Sequence, residues 1–417
     1  MLSNRIKEAA KKIGIVTAIE VLLKVIGFLS GILIIRLLPK DEYAFYTIVN
    51  TMMGSIALMS GAGIASGVMK IGGQVYGDKV KLGRVILTAL KLRRKLGLLC
   101  YLLVCPIVLY MLHKNGASYL MGGLLCLSML PAFYSQLSAG LYKLSVELNQ
   151  DLIPLQTINL QQNLLRLGIS VATLFVFPFA ALAVLGAGVA QYIANVRLRR
   201  LSEKYASISG EESVQVKNEL IGIVKRAMPT AIYFGLSGQI SVWLISFFGT
   251  VESVAEIGAL SRLSMVFSVV NSLFVLIVAP RFARLGNDKK SLAKRFLQIE
   301  LVLVVLAFLV PTTVSLIPNQ ILWLLGEDYQ GLNSELVLLG GTIGLSVLIN
   351  GLAAMNSSRA FILNPLIHIP FNIIVLVATA LVIDPTSTYN VLLIDFFRAA
   401  MAPLLLNFVF FRYLRKA

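Results

Sequence analysis

The sequence predicts an all-α integral membrane protein with about twelve transmembrane helices in two six-helix bundles and both termini on the cytoplasmic side. Three observations predict it. Mean hydropathy is +0.83, with 57% hydrophobic and only 14% charged residues, where soluble domains carry about 25% charged residues. Apolar runs long enough to cross a hydrocarbon core of about 30 Å recur along the whole chain. Lys and Arg concentrate in alternate connecting segments, as the positive-inside rule requires.

The first run, 13–35, follows a short basic segment with Arg5, Lys7, Lys11 and Lys12. It is too long for the apolar region of a signal peptide and lacks a small-residue cleavage site, so it is expected to stay as the first helix. Within it lie Glu20 and Lys24, four residues apart with the acid first. That spacing puts both on one helix face and lets them pair. A lysine at mid-membrane costs roughly 2.5 to 3.5 kcal/mol, so the pair must face protein or water. A buried structural ion pair and a polar site in a cavity both stay open.

The remaining runs are 43–69, 96–112, 117–142, 152–177, 179–196, 227–248, 257–280, 296–317, 336–355, 361–383 and 391–411. The third and sixth are short, and the sixth adjoins the fifth through Pro178. The fifth contains the polar stretch QQNLLR ending in Arg166, the eighth holds Arg262 in its outer third, and the twelfth has Asp395 and Arg398 three residues apart. Pro131, Pro229 and Pro370 interrupt the fourth, seventh and eleventh. Such breaks are tolerated in membranes where neighbours satisfy the freed backbone groups, and Pro229 is the expected hinge.

With the amino terminus inside, the cytoplasmic segments are 1–12, 70–95, 143–151, 197–226, 281–295, 356–364 and 412–417. They hold 30 of the 37 Lys and Arg, against only Arg36, Lys40 and Lys114 on the other side. The remaining four, Lys24, Arg166, Arg262 and Arg398, lie within runs. The formal charge of +17 is thus mostly an orientation signal. Nucleic-acid binding would need a folded basic surface, and no connecting segment is large enough to form one. Trp243 and Trp323 fall near the outer interface, as an aromatic belt places them. Cys100, Cys105 and Cys126 lie inside apolar runs without paired or metal-ligand spacing, so no disulfide framework or metal site is expected.

The polar segment 197–226 divides the chain into a 1–196 N-terminal six-helix bundle and a 227–417 C-terminal six-helix bundle, with a cytoplasmic linker between them. Both halves begin on the inner side, so their repeats are parallel, an arrangement in which a substrate path lies between two bundles.

Four stretches carry a family resemblance: IRLLPKDEYAFYTIVNTMMG at 35–54, GAGIASGVMKIGGQ at 61–74, APRFARLGND at 279–288 and ILWLLGEDYQG at 321–331. In order and placement they resemble the multidrug/oligosaccharidyl-lipid/polysaccharide (MOP) superfamily, and within it the Wzx-type flippases of lipid-linked oligosaccharides. Ala44 departs from the Gly that such families often carry there. The resemblance implies a MATE-like or MOP-like fold and a flippase of undecaprenyl-diphosphate-linked oligosaccharide, of the O-antigen or related polysaccharide type found in lipopolysaccharide. Alternating access would carry the cargo across a bacterial inner membrane with no covalent chemistry, no catalytic residue and no cofactor. It further implies a monomer among membrane lipids, with a polysaccharide polymerase and a chain-length regulator as partners and no nucleic acid. The coupling ion, H+ or Na+, stays open.

A diphosphate crossing a low-dielectric layer is stabilised by charge-assisted hydrogen bonds from Lys or Arg. Lys24, Arg262, Arg166 and Arg398 are therefore the substrate-binding candidates, with Glu20 and Asp395 as coupling groups or charge partners. Lys24 and Arg262 are expected to face the central cavity. Arg262, in ALSRLSMVF, resembles the cavity arginine that lipid II flippases of the superfamily carry in the same span. Arg166 and Arg398 fit a structural role equally, and Asp395 favours that role for Arg398. Asn50, Gln136, Asn159, Gln161, Gln162, Asn163, Gln239, Asn271 and Asn350 are candidates for binding sugar hydroxyls. In the expected cycle Glu20 holds Lys24 when the site is empty, and a lipid diphosphate takes Glu20's place.

Two other functions share parts of this pattern. A MATE-like cation-coupled small-molecule antiporter would have the same fold but rely on acidic coupling residues. A membrane-embedded glycosyltransferase or polymerase would need carboxylates or His placed for acid/base work, whereas the outer loops here are short and hold few acids.

Overall fold

The structure is a computed structural model that describes residues 2–416 apart from 62, 209–211, 287, 360, 362 and 363. Side chains are described from residue 14 on, except at 234, 266–277, 279, 280 and 416; Asn271 and the basic residues Arg5, Lys7, Lys11 and Lys12 lie outside that description. The described residues are helical, with no strand among them. In lipid the backbone has no water to bond, so each apolar run satisfies its own N–H and C=O groups by coiling.

The helices in order are α1 (Leu2–Leu37), α2 (Lys40–Gly61), α3 (Ile64–Val75), α4 (Lys79–Lys114), α5 (Tyr119–Leu148), α6 (Leu152–Val176), α7 (Ala180–Ser202), α8 (Val214–Ser237), α9 (Ile240–Phe248), α10 (Val251–Ala283), α11 (Lys289–Leu316), α12 (Pro318–Leu325), α13 (Asn333–Ser358), α14 (Pro365–Val382) and α15 (Thr388–Lys416). Eight of them are long and apolar enough to cross a membrane by themselves. Two bent pairs, α2 with α3 at 43° and α8 with α9 at 56°, bring the number to as many as ten. The two other expected runs fall on α6, where Gln, Asn and Arg residues interrupt the apolar run, and on α10. Every apolar run in the sequence therefore coincides with a helix or a bent pair. The chain is a multi-pass membrane protein.

Several helix starts are marked by side-chain caps, which satisfy backbone donors that have no partner within the helix. Asp78 accepts from the N–H groups of Val80 and Lys81, both at 3.0 Å, and so starts α4 well before the apolar run at 96. Most of the basic segment expected as a connection is consequently helical. Ser118, Thr250, Asp288 and Asn364 cap α5, α10, α11 and α14 in the same way. Pro229 lies inside α8 without ending it. The bend in that span comes later, after Ser237 and Gly238, a Gly/Ser pair of the kind that kinks helices.

The chain forms two compact units, Met1–Ile240 and Ser241–Ala417. The first includes α8, which packs on α2, α3 and α4. Close approach is permitted by glycine: a Cβ on Gly63 would lie 2.7 Å from that of Ala227, and one on Gly67 would lie 2.7 Å from Leu220. Ser55 Oγ donates to the Gly235 carbonyl at 3.0 Å, and Lys70 pairs with Glu219 at 3.0 Å.

The segment after α7 is docked as a strap. Tyr205 Oη donates to Asp151 Oδ2 at 2.5 Å, Ala206 is fully buried, and Ser207 N–H donates to the Lys79 carbonyl at 2.8 Å. Gly83 lies directly beneath it, where any Cβ would meet the Ser207 carbonyl oxygen at 1.9 Å.

The second unit is built around Phe282, Phe296 and Phe410, with the Phe296 and Phe410 rings stacked at 3.7 Å. Arg359 Nη2 donates to the carbonyls of Leu285 at 2.5 Å and Gly286 at 3.0 Å, tying the end of α13 to the end of α10.

Candidate functional site

Five polar residues of α6 fall at 156, 159, 163, 166 and 170, alternating steps of three and four that place them on one helix face; Thr157, Gln161 and Gln162 lie off that face, and Gln161 accepts from Arg197. At about 1.5 Å per residue this stripe runs for roughly 20 Å. Gln156, Asn159, Asn163, Arg166 and Ser170 make it up.

At one end the stripe meets α1. Gln156 Nε2 donates to Glu20 Oε1 at 3.3 Å, and Asn159 Nδ2 donates to Gln156 Oε1 at 3.1 Å. Lys24 lies one turn beyond Glu20 on the unbroken α1, partly buried, so the two share a helix face as their spacing predicts. Further along, Arg166 Nη2 donates to the hydroxyl of Tyr46 on α2 at 3.1 Å. Tyr46 itself is only 2% exposed. The Nε of Arg166, the Oδ1 of Asn159 and the Oγ of Ser170 are buried with no hydrogen-bond partner among the described residues. Buried polar atoms are nearly always bonded, so this face has capacity that the described residues leave unused.

In the second unit the charges are arranged differently. Asp395 on α15 is 8% exposed and pairs with Arg398 Nη2 at 2.9 Å, while Ser241 Oγ on α9 donates to its other oxygen. This is a closed cluster in which each charge already has a partner. Arg262 is partly buried on α10, and nearer the start of that helix Glu256 accepts from Thr388 Oγ1 at 2.6 Å. Lys24 and Arg166 thus belong to the first unit, and Arg262 and Arg398 to the second.

Gln156 and Ser170 were absent from the sequence candidates, although the three-and-four spacing that joins them to Arg166 is readable in LIPLQTINLQQNLLRLGIS. In sequence Arg93 and Lys143 stand only as orientation charges, yet both are partly buried. Among the described residues no group of three His, Cys, Asp or Glu is placed to hold a metal ion.

What the α6 arrangement offers is guanidinium and amide donors, a hydroxyl and a carboxylate. No family model and no curated protein sequence matches the chain. Solved structures do. The lipid II flippase MurJ in an inward closed conformation matches with a TM-score of 0.73 at 12% identity, covering 94% of this chain and 87% of that one. A multidrug resistance MATE family transporter of the MOP superfamily, inward-facing, matches with a TM-score of 0.69 at 14% identity, covering 95% and 96%. The fold is that of the MATE and MurJ transporters. The eukaryotic MATE transporter AtDTX14 extends the likeness, with a TM-score of 0.56 at 15% identity over 96% of this chain and 94% of that one. At these identities the MATE and MurJ likeness describes the path of the backbone, and the side chains of α6 are this chain's own.

Proposed function

We propose that the chain is a flippase of lipid-linked oligosaccharides. It would turn an undecaprenyl-diphosphate-linked unit, of the O-antigen or related polysaccharide type, from the inner to the outer leaflet of a bacterial inner membrane by alternating access. The observation that carries this reading is Arg166, a cation within an apolar helix whose buried Nε has no partner among the described residues and whose neighbours on the same stripe are uncharged amides and a hydroxyl. A diphosphate in a low-dielectric path is stabilised by a charge-assisted guanidinium bond, and sugar hydroxyls are bound by amides. The fold shared with a lipid II flippase supports the same class of cargo.

In this reading Lys24 and Arg262 are further cations on the path, Glu20 exchanges with the substrate diphosphate, and Arg398 is held by Asp395 as a structural pair. H+, Na+ or the membrane potential would supply the energy, and a polymerase and a chain-length regulator would receive the cargo. The test is complementation of a flippase-null strain with a panel of defined lipid-linked units. Polymer at the cell surface for one class of unit is the expected result. No polymer with any unit, from protein present at normal level, overturns the reading.

A second reading has an observation of its own. Glu20, a carboxylate in a membrane helix hydrogen-bonded to the neutral Gln156 and through it to Asn159, suits a cation-coupled small-molecule antiporter of the MATE kind. Efflux of a cationic dye from proteoliposomes under an imposed H+ or Na+ gradient, without flipping of any lipid-linked unit, would establish that alternative.

A further inference from the structure

Arg93 on α4 lies between two glycines of neighbouring helices. A Cβ on Gly140 of α5 would sit 2.8 Å from its Nη1, and one on Gly61 at the end of α2 would sit 3.6 Å from its Nη2. The absence of those side chains makes the space that the guanidinium occupies. Its Nε is buried without a partner, and among the described residues Arg93 makes no hydrogen bond and no ion pair. The last carbonyls of α2 favour a cation at that place, yet they supply it no bond.

Lys143 lies three residues beyond Gly140 on α5, a neighbouring position on that helix face. Among the described residues it too has no hydrogen bond or ion pair, only the more distant field of Glu147. Desolvation is the main influence of the surroundings on both groups. Arginine does not escape burial by losing its proton. An anion supplied from outside the chain, reached from these neighbouring positions on α4 and α5, relieves the desolvation of each cation.

The depth of the site narrows the anion's class. On α4, Lys91, Arg94 and Lys95 around Arg93 are exposed. One turn further along, Leu98, Leu99 and Leu102 are 58%, 55% and 61% exposed. Exposed cations giving way to exposed leucines mark the level where headgroups meet hydrocarbon. A planar guanidinium fork and an ammonium point charge together suit phosphoryl oxygens.

We propose that Arg93 and Lys143 form a binding site for the phosphoryl group of a lipid headgroup, within the first unit and separate from the α6 stripe. The lipid is either an anionic phospholipid of the membrane or a polyprenyl diphosphate, and the site does not depend on the transport reading.

Native mass spectrometry of the full-length protein tests this with phosphatidylglycerol, undecaprenyl diphosphate and inorganic pyrophosphate as separate probes. Arg93→Gln with Lys143→Gln is expected to weaken retention of at least one lipid by about tenfold, the loss of one charge-assisted bond or more, while Lys95→Gln leaves it unchanged. A fall for phosphatidylglycerol assigns the site to membrane phospholipid, and a fall for undecaprenyl diphosphate alone assigns it to the carrier lipid. Unchanged lipid retention, or a fall for pyrophosphate alone, overturns the proposal. Should the double variant fail to fold, phenylglyoxal labelling of the wild-type protein gives the answer: protection of Arg93 by either lipid supports the site, and equal labelling with and without both lipids removes it.

Discussion

Arg166 on α6 reaches across to α2 and donates to the hydroxyl of Tyr46 at 3.1 Å, while its own Nε is buried and, among the described residues, unbonded. The hydrogen bond anchors Nη2, and on the proposed function the neighbouring Nε–H takes the ligand. Arg166→Ala is therefore expected to lower delivery of the lipid-linked unit by about tenfold to a hundredfold, the scale of a hydrogen bond to a charged group. Tyr46→Phe removes only the orienting contact and should cost less. Surface polymer measured at matched protein level checks both. Equal delivery by Arg166→Ala and wild type would take Arg166 off the path.

Lys24→Ala and Arg262→Ala probe the cations expected on the path from sequence. Each should abolish outer-leaflet delivery while protein levels stay normal. Wild-type delivery by either variant returns that residue to a structural role.

For Asp395 and Arg398 the expected effect is on stability. Removing one member of a buried pair strands the other, at a cost of about 3 kcal/mol or more. Asp395→Ala should lower the unfolding temperature in detergent, and Asp395→Ala with Arg398→Ala should recover much of the loss. Additive effects of the two substitutions would show that the pair is not coupled.

Gly83 decides whether the strap docks. Gly83→Ala places a methyl group where the Ser207 carbonyl now lies, so protease should reach the strap in that variant while sparing the wild type. Tyr205→Phe removes one bond from the same strap and should loosen it by roughly 1 kcal/mol. Identical protease resistance in Gly83→Ala would mean that the backbone shifts to accommodate it.

The start of α4 should respond to acid. The backbone N–H of Lys81 and that of Val80 hold the Asp78 carboxyl below its usual range. Its contribution to helix capping is present above the ordinary aspartate pKa and is lost as pH falls through the lowered folded value. Protection of the Val80 and Lys81 amides, measured as exchange relative to the intrinsic rate at the same pH, should therefore fall in acid, and Asp78→Ala should show the low protection at all pH values. Protection that does not change with pH in the wild type would rule out the cap as the protecting group.

Hydropathy and charge made the spans legible, because a run of apolar residues in lipid has no other way to satisfy its backbone. The same pattern concealed the extent of α4, since a basic segment after a span reads as a loop until Asp78 is seen to cap it. Arg166 was found by its charge alone. Its companions Gln156 and Ser170 needed the helical spacing, which amide and hydroxyl residues do not advertise one at a time. Arg93 and Lys143 were hidden by their surroundings: amid Lys91, Arg94 and Lys95, a charge count cannot tell a solvated cation from one tucked against Gly61 and Gly140. In sequence the strap is part of a polar linker, while what docks it is largely backbone bonding to Lys79 and the space left at Gly83.

By chain order α8 opens the second series of six spans, yet it packs with the first unit, which closes at Ile240. Order along the chain and partnership in space thus disagree about one helix. A chimera that exchanges halves with a structural relative would carry its seam across packed side chains if cut in the polar segment between the series. Joined at residues 240 and 241, each parent would keep the helix that its own glycines were shaped to receive.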